Sequence, residues 1–541
     1  MIRKPTVRRL AAAVMVISLT GALPVLFARP ALAASLCVGS KPGCFAALQA
    51  AVNAARNGDR ITIAPGRYAG GVTIDVSVTL AGAGAGSTVI RGGGPVLTIG
   101  AYGASAEPTV SISGVTITGG VARSSPESVP FVGQDGVIAR GGGVEIPPNA
   151  GFTGGATVTI SNSVITGNLA DPTHALPLGP PCPGGVSCPF AQAAGGGVDN
   201  WGTLTLVNTT VSNNRIGSAT GLAAVVSDAD GGAIANELGA LAVTNSTISG
   251  NQASATAPNG RFADSGGMFL DGGSLTMSNS AVTGNRASLT ASLPDSVQVN
   301  AVAGGVHVTS GVTTATISNT TVTGNSVSMT NAIGDATAFS GGLHTDGTFT
   351  LTNDVIANNS VYSATLPGSS GNAEGDSGAG EMAGTISSTR FTGNSVAVKS
   401  ASGTASAAAG AAIFTGTVTS SAVSDNAVSA SSPHGTVVLV GGGLQSGGPL
   451  TLRNTIVSRN RGDANGLTGT AQGGGIFAVD ESANGGPPGG PLILINSTIT
   501  GNALNGSSGT TLQGGGIFAT NPVTLTNTTI TNNSPGQCDG C

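Results

Sequence analysis

The composition of this chain narrows its fold class before any motif is considered. Of its 541 residues, 88 are glycine, 8% are charged and 3% are aromatic, and the formal net charge is −5. Coiled coils and basic nucleic-acid binders need many more charged residues, and disordered chains contain fewer hydrophobic residues than the 40% found here. Collagen is excluded because glycine does not recur at every third position. An all-β protein built from Val, Ile, Thr, Ser, Asn and Gly remains.

The first 33 residues have the three parts of a secretory signal peptide. Basic residues are concentrated in residues 3–9, an apolar run covers residues 10–28, and residues 31–33 have the small-x-small form of a cleavage site. We predict cleavage after Ala33; an uncleaved membrane anchor is the alternative. No later segment has about 20 uninterrupted apolar residues, so no transmembrane segment is expected after cleavage. The sequence therefore predicts a secreted or cell-surface protein.

The six cysteines form three pairs of near neighbours, which is typical of disulfides in an oxidising compartment. The candidate disulfide cysteines are Cys37 with Cys44, Cys182 with Cys188, and Cys538 with Cys541. A redox role for the last pair would need a thioredoxin-like βαβ context, which the sequence lacks. A zinc site is not favoured either, because the four histidines are scattered. We expect local disulfides that hold the N-terminal end, one loop and the C-terminal end.

Residues 34–59 are predicted to form an N-terminal cap. Residues 45–57 have the pattern of a short amphipathic helix, which Gly58 and Asp59 terminate. Such a helix would protect the exposed first turn of a repeat protein from edge-to-edge pairing. Residues 60–541 are predicted to form one repeat domain. Its longest loops are expected near residues 121–140, 169–194 and 479–490.

The repeat is an eleven-residue unit, seen as VTISNSVITGN and LTLVNTTVSNN, with two asparagine positions six residues apart. The second position is occupied by Asn168, Asn214, Asn251, Asn285, Asn325, Asn359, Asn394, Asn426, Asn460, Asn502 and Asn533. Ser388 and Ser420 replace the first asparagine in two copies, and an earlier copy has glycine at both positions. Loops of variable length are predicted after the second asparagine, because successive copies lie 31 to 46 residues apart.

A second signature, a glycine pair followed by apolar residues, ends each of these loops. The pairs begin at Gly141, Gly195, Gly231, Gly266, Gly304, Gly341, Gly441, Gly473 and Gly514, with weaker copies at Gly378 and Gly410. Apolar and polar residues alternate before the first asparagine, as on a strand with one buried face. Each strand is too short to bury a core alone, so we predict parallel stacking into a solenoid of about thirteen turns. Asparagine at the bends suits left-handed backbone, and its amide can bond to the asparagine one turn away.

Residues 45–82 (FAALQAAVNAARNGDRITIAPGRYAGGVTIDVSVTLAG) are similar to the opening of right-handed parallel β-helix proteins of the pectin-lyase-like superfamily. The Gly-Gly-x-x and x-x-x-Asn signatures resemble the repeats of polymorphic outer-membrane-protein-type surface proteins, and residues 231–234 and 391–394 fit these two patterns in full. The resemblance implies a right-handed parallel β-helix over about residues 45–541. The superfamily contains lyases, hydrolases, epimerases and adhesins, so it implies no single activity.

The catalytic residue sets of that superfamily are not found in this sequence. Its lyases hold Ca²⁺ with Asp clusters and use Arg or Lys as base, whereas its hydrolases use Asn-x-Asp, Asp-Asp, Gly-His-Gly and Arg-x-Lys. The sequence has no Asp-Asp, Gly-His-Gly or Arg-x-Lys. We therefore predict a non-enzymatic scaffold with an adhesive or glycan-binding role, whose partner is a polysaccharide or cell-surface glycan and which needs no cofactor or metal. The low, acidic charge argues against nucleic acid as a partner. The capped ends of the solenoid predict a monomer. The alternative is a polysaccharide lyase or glycoside hydrolase acting on the outer face.

One column of side chains carries the candidate catalytic residues. The second residue after each glycine pair should point outward and stack on its neighbours. The sequence gives Glu145, Asp199, Ile234, Phe269, His307, His344 and Glu381. His307, His344 and Glu381 would then lie on successive turns, with Asp346 close by. Such a group could perform acid–base chemistry or bind a metal, but we favour a solvated polar stripe.

Overall fold

The chain folds into a solenoid of parallel strands, in which each turn pairs with the turn before it. The structure, a computed structural model, describes residues 33–123, 125–128, 135–172, 190–217, 226–256, 260–294, 299–479 and 489–541. The strands belong to three sheets of 25, 21 and 14 strands. This arrangement confirms the predicted all-β parallel β-helix.

The 14-stranded sheet, which we call the narrow sheet, takes one short strand from each turn. Its count is close to the predicted number of about thirteen turns. In a typical strand only the central residue faces the core, as Ile248 does in Thr247–Ser249. The strands are Gly66–Ala69, Thr88–Arg91, Thr116–Thr118, Val164–Thr166, Thr210–Ser212, Thr247–Ser249, Ala281–Thr283, Thr321–Thr323, Val355–Ala357, Arg390–Thr392, Ala422–Ser424, Ile456–Ser458, Thr498–Thr500 and Thr529–Thr531.

The 25-stranded sheet, which we call the long sheet, contains the residues between each glycine pair and the first asparagine. Its inward residues, such as Leu204 and Leu206, join one apolar core that extends from Val38 to Ala519. The strands are Ser35–Val38, Arg60–Ile63, Val72–Ile74, Thr79–Gly82, Leu97–Ile99, Thr109–Ser113, Val144–Ile146, Thr157–Ser161, Val198–Asn200, Thr203–Val207, Ile234–Asn236, Ala240–Thr244, Met268–Leu270, Gly273–Ser278, Val306–Val308, Val312–Ser318, Leu343–Thr352, Gly380–Ser387, Ala412–Thr419, Leu444–Arg453, Ile476–Ala478, Leu492–Ile495, Ile517–Ala519, Val523–Thr526 and Cys538–Asp539.

The segments after the second asparagine form the 21-stranded sheet, which we call the side lobe. The prediction that they are loops is wrong for most of their described residues. In most turns after residue 120 one strand leaves the solenoid and another returns, whereas Ala427–Val440 and Arg461–Gln472 each run as one continuous strand. The strands are Val121–Arg123, Ser125–Ser128, Asp135–Arg140, Leu169–Asp171, Phe190–Ala194, Arg215–Ile216, Val226–Asp230, Gln252–Thr256, Gly260–Asp264, Arg286–Ala291, Asn300–Val302, Ser326–Asn331, Ala336–Phe339, Ser360–Thr365, Ala373–Asp376, Ser395–Lys399, Ala405–Ala408, Ala427–Val440, Arg461–Gln472, Ala503–Gly506 and Thr510–Gln513.

The side lobe has an apolar core of its own. Outgoing residues such as Leu289 and Met329 and returning residues such as Ala301 and Ala338 belong to one buried cluster that is separate from the core of the solenoid. Most members are alanine or valine, so the two arms of each turn can approach closely. The lobe is therefore an ordered wall beside the long sheet, and it determines the surroundings of the candidate site.

The two ends of the solenoid differ. At the N-terminal end the only described helix is Leu48–Ala54, shorter than the predicted 45–57, and its Leu48, Ala51 and Val52 are buried against the first strands. At the C-terminal end Cys538–Asp539 pairs in parallel with Ile517 and Phe518 and begins a further turn.

None of the helices among the described residues combines the length and the apolar character that a membrane crossing requires.

Two of the three predicted disulfides lie in the described part of the chain. Cys37 is bonded to Cys44, and Cys538 is bonded to Cys541. The third pair, Cys182 and Cys188, lies outside the described residues, as does the predicted signal peptide up to residue 32. Disulfides of this kind are compatible with an extracellular protein.

The two asparagine positions of the repeat have different structural roles. The first, or the serine that replaces it, makes the bend between the long and narrow sheets with φ between 48° and 60° in every described copy from Asn162 to Asn527. Asparagine tolerates this left-handed conformation better than most residues. The second asparagine is buried, and the left-handed residue of that bend is its predecessor, for example Gly324 before Asn325. The sequence predicts that the same asparagine makes the bend and forms a side-chain hydrogen bond to the next turn. In the structure the first asparagine makes its bend, and the second forms the buried hydrogen bond.

The eleven second asparagines form a continuous ladder of buried hydrogen bonds. Each Nδ2 donates to Oδ1 of the next asparagine at 2.9–3.0 Å, from Asn168 to Asn533. The same Oδ1 also accepts a backbone N–H from the turn before, as Asn359 Oδ1 does from Asn325 at 3.0 Å. Gln537 ends the ladder, since its Oε1 accepts both the Nδ2 and the backbone N–H of Asn533.

A second ladder runs through the residue after the first asparagine, which is serine or threonine in most turns. Their hydroxyls accept backbone N–H groups of the preceding turn, as Ser246 does from Thr209 at 3.0 Å. Asp354 interrupts this hydroxyl series: its carboxylate accepts the N–H groups of Thr320 at 2.7 Å and Thr352 at 2.8 Å. Burial raises the pKa of Asp354 from 3.8 to about 6, although the two N–H bonds oppose this shift.

We expect the difference in unfolding free energy between Asp354→Thr and the parent protein to favour the variant more at pH 7.5 than at pH 4. The folded-state pKa of Asp354 is raised, so its favourable contribution is present below about pH 4 and is lost as the pH rises through about 6. The variant has no carboxyl group to ionise here, so it does not lose stability in this way. Its unfolding free energy relative to the parent protein should therefore rise by about 1–3 kcal/mol from pH 4 to pH 7.5. Urea unfolding at both pH values measures it. Thr389→Ser, in the same ladder without a titrating group, should show a difference independent of pH, and a flat difference for Asp354→Thr would contradict the prediction.

Candidate functional site

A groove runs along the solenoid between the returning strands of the side lobe and the first strand after each glycine pair. It contains two adjoining cavities of about 360 and 560 Å³, which share Phe339, Asp346 and Glu381. Five carboxylic acids line the two cavities, namely Asp264, Asp346, Glu374, Asp376 and Glu381. No lysine or arginine among the described residues lines either cavity. The groove is therefore strongly acidic.

The strand pairing places His307, His344 and Glu381 on three successive turns, as the sequence predicts. His307 pairs with His344, and His344 pairs with Glu381. The prediction that Ile234 belongs to this column is wrong, because Ala235 is the residue that pairs with Asp199 and Phe269. Ile234 points into the core, because Ala233 follows this glycine pair as an extra residue and the outward position falls on Ala235.

Asp346 joins the two histidines into one cluster. His344 Nε2 lies 3.5 Å from Asp346 Oδ1, and His307 Nε2 lies 4.0 Å from Asp346 Oδ2. On the other side of the ring, His344 Nδ1 lies 3.9 Å from Glu381 Oε2 and 2.9 Å from the Ser340 hydroxyl. The pairing of the His344 strand with the next turn shifts register between His344 and Thr348, and such irregularities commonly redirect side chains near functional sites.

The expectation of a solvated polar stripe is wrong for the histidines. Their side chains leave the core of the solenoid, but the side lobe covers them, and His307 is only 7% exposed. The His307 ring makes edge-to-face contacts with Phe269 and His344, with ring centroids 5.3 and 4.9 Å apart. Phe339, on the lobe wall, lies 6.4 Å from the His344 ring. The column is thus the floor of the groove, and the acids lie around it.

Burial and neighbouring charges separate the protonation states of these groups. Burial, with the nearby His344, lowers the pKa of His307 to about 3, so His307 is neutral at physiological pH. Burial, with Asp228 and Asp346 nearby, raises the pKa of Asp264 to about 8. The hydrogen bond to His344 lowers the pKa of Asp346. A carboxyl group that keeps its proton therefore shares a cavity with one that is ionised.

Asp199, another polar member of the column, belongs to a separate, internally compensated cluster. Arg140 Nη1 lies 3.7 Å from Asp199 and 3.5 Å from Glu237, and the guanidinium lies over the Trp201 ring. Burial raises the pKa of Asp199 well above its ordinary range, and Arg140 opposes this effect. Because the arginine offsets the acids, we interpret this cluster as a structural contact.

Sequence reasoning missed the residues that the side lobe contributes. Asp264 and Phe339 each stand two residues before a glycine pair, at the end of a returning strand. Ser340, whose hydroxyl also accepts the N–H of Glu381 at 3.2 Å, forms the left-handed turn after Phe339. A signal was available, since segments such as Ala336–Phe339 alternate alanine with a larger residue at the period of a strand.

Comparisons with known proteins leave the family of this chain undetermined. No family model and no curated protein sequence matches it. A solved structure of a PL6-family alginate lyase, AlyGC, aligns over 92% of this chain and 100% of its own, with 10% sequence identity and a TM-score of 0.15. A score this low supports no argument about activity, and the description of the fold rests on the strand pairing.

Proposed function

We propose that this protein is an extracellular β-helix scaffold that binds a neutral or amino-sugar glycan in the groove beside the side lobe. The observation that carries the proposal is the groove itself, a long cleft with an aromatic floor, a lobe wall and five acidic side chains. Clefts with a few convergent polar groups are the usual sites for such ligands. The predicted signal peptide and the disulfides support an extracellular location.

The charge of the groove favours some glycans over others. Acidic polysaccharides carry a carboxylate on most residues, and their recognition needs cations to balance that charge. The described lining offers carboxyl groups and no lysine or arginine. Neutral sugars can donate hydroxyl hydrogen bonds to carboxyl oxygens, and amino sugars are attracted to ionised carboxylates such as Asp346. The groove therefore favours these glycans over pectate or alginate.

We expect Phe339→Ala to weaken glycan binding about tenfold, since an aromatic contact contributes about 1 kcal/mol or slightly more. Phe339 is a half-exposed ring shared by the two cavities. The measurement is calorimetry with oligosaccharides of chitosan, chitin, cellulose and xylan beside polygalacturonate and alginate. Leu467→Ala is the control, because Leu467 is 62% exposed and lines neither cavity. Tighter binding of the polyuronates, or equal binding by the Phe339 variant, would contradict the proposal.

The second candidate function is a glycoside hydrolase at the same groove. The observation that favours it is the convergence of Asp264, Asp346 and Glu381 on one cavity, since most glycosidases act through two carboxyl groups. One carboxyl would protonate the leaving oxygen while another took a proton from the attacking water. Incubating the same polysaccharides with the purified protein separates the two functions. Release of reducing ends that is lost in Asp264→Asn and kept in Leu467→Ala would establish the enzyme over the scaffold.

A further inference from the structure

His307, His344 and Asp346 present three ligand atoms to one point at the floor of the groove. These atoms all lie within 4.8 Å of one another. A zinc-class ion bonded at about 2.0–2.2 Å holds its ligand atoms roughly 3.2–3.5 Å apart. The separation between His344 Nε2 and Asp346 Oδ1 is already 3.5 Å, and that between His307 Nε2 and Asp346 Oδ2 is 4.0 Å. Small side-chain rotations would bring all three atoms into coordination range.

His307 supplies an independent reason to look for a ligand. Its ring is buried, and neither Nδ1 nor Nε2 has a hydrogen-bond partner among the described residues. An enclosed polar group without a partner costs about 1–3 kcal/mol, so structures rarely keep one without a purpose. A phenylalanine at this position would continue the aromatic packing of Phe269 without that cost. The Nε2 of His307 faces the carboxylate of Asp346, where an ion could occupy the space between them.

Ser340 provides the outer support that metal-binding histidines usually have. Its hydroxyl lies 2.9 Å from His344 Nδ1 and accepts the backbone N–H of Glu381 at 3.2 Å. A hydrogen bond at Nδ1 fixes the orientation of the His344 ring and leaves Nε2 to face Asp346. Ser340 is fully buried in a tight turn, so this contact is built into the backbone of the groove.

We propose that His307 Nε2, His344 Nε2 and one Asp346 oxygen bind a single divalent transition-metal ion of the Zn²⁺ class. Two imidazole nitrogens and one carboxylate suit Zn²⁺, Co²⁺ or Ni²⁺, whereas Ca²⁺ and Mg²⁺ prefer all-oxygen sites. Asp346 is 54% exposed, so the remaining coordination positions face the groove and are open to water or to a ligand oxygen. The site stands whether or not a glycan occupies the groove, because it is defined by the protein's own side chains.

The test is metal binding by the purified, EDTA-treated protein, with Co²⁺ as a spectroscopic probe and Zn²⁺ in calorimetry. We expect one equivalent of Co²⁺ to produce visible absorption bands that Zn²⁺ abolishes and Ca²⁺ does not. His307→Phe and Asp346→Asn should each weaken Zn²⁺ binding at least tenfold. His307→Phe extends the aromatic column, and Asp346 is largely exposed, so both variants should keep the melting temperature of the parent.

His434→Ala is the control, because His434 is exposed and lies outside the groove. It should bind Zn²⁺ like the parent protein. The proposal is overturned if the parent shows no saturable Zn²⁺ binding, or if Zn²⁺ binds equally well to Asp346→Asn. If His307→Phe does not fold, Asp346→Asn decides the question alone.

Discussion

Asn359→Ala should lower the free energy of unfolding by about 3–5 kcal/mol, because it opens the buried asparagine ladder in the middle of the solenoid. Asn359 Oδ1 accepts the backbone N–H and the Nδ2 of Asn325, both at 3.0 Å. Its own Nδ2 donates to the carbonyl of Val322 at 3.0 Å. Alanine leaves these groups in the interior without those partners, and each such group costs about 1–3 kcal/mol. Urea unfolding followed by circular dichroism measures the loss.

Amide hydrogen exchange should show which turns of the solenoid lose protection in the Asn359→Ala variant. Each turn of a solenoid contacts only its neighbours, so the increase in exchange should centre on the turns of Asn325 and Asn359. The matched control is Asn353→Gly, which removes an amide from the same turn at an exposed bend with φ of 60° that glycine tolerates. The control should change stability by less than about 1 kcal/mol. Equal losses in the two variants would show that the ladder adds nothing beyond the bend.

The fold could be predicted from the sequence because its determinants are local and repeated. The alternation around Leu204 and Leu206 marks a strand with one buried face, and a fixed spacing between asparagines aligns one turn with the next. The sequence did not show that the first asparagine makes a bend while the second forms the buried ladder, since both bends need a left-handed residue. In the second bend that residue is the predecessor of the asparagine, which leaves the amide free to face inward.

The candidate site was only half predictable, for a physical reason. His307, His344 and Glu381 follow from the register of the long sheet, which the glycine pairs fix. Their surroundings depend on the side lobe, whose strands vary in length from turn to turn and lack a constant motif. The packing of Phe339 against His344 and the position of Asp264 in the same cavity are therefore tertiary, and no spacing in the sequence encodes them. The Ile234 error has a different origin: Ala233 stands where Gly197 and Gly267 stand in the neighbouring turns, so the glycine pair at residues 231–232 lies one residue earlier relative to the strand.

Leu452→Asp is expected to be the most damaging substitution considered, with a loss of more than about 4 kcal/mol. Leu452 is fully buried in the solenoid core and pairs in register with Val418 on one side and Leu494 on the other. The substitution removes apolar contacts worth about 1.5–3 kcal/mol and places a carboxyl group where no polar partner is available. Protonation would remove its charge but would not supply a hydrogen bond. Soluble yield and thermal melting by circular dichroism measure the effect.

Thr451→Asp is the control that separates the effect of burying a carboxyl group from the effect of adding its charge. It introduces the same acid one residue earlier, on the outward face of the same strand, where Thr451 is half-buried beside Thr417 and Ile493. Side chains of a strand alternate between its two faces, so this carboxylate should stay hydrated and cost less than about 1 kcal/mol. If instead Thr451→Asp unfolded the protein and Leu452→Asp did not, the buried face assigned to this strand and to the segments paired with it in register would be wrong.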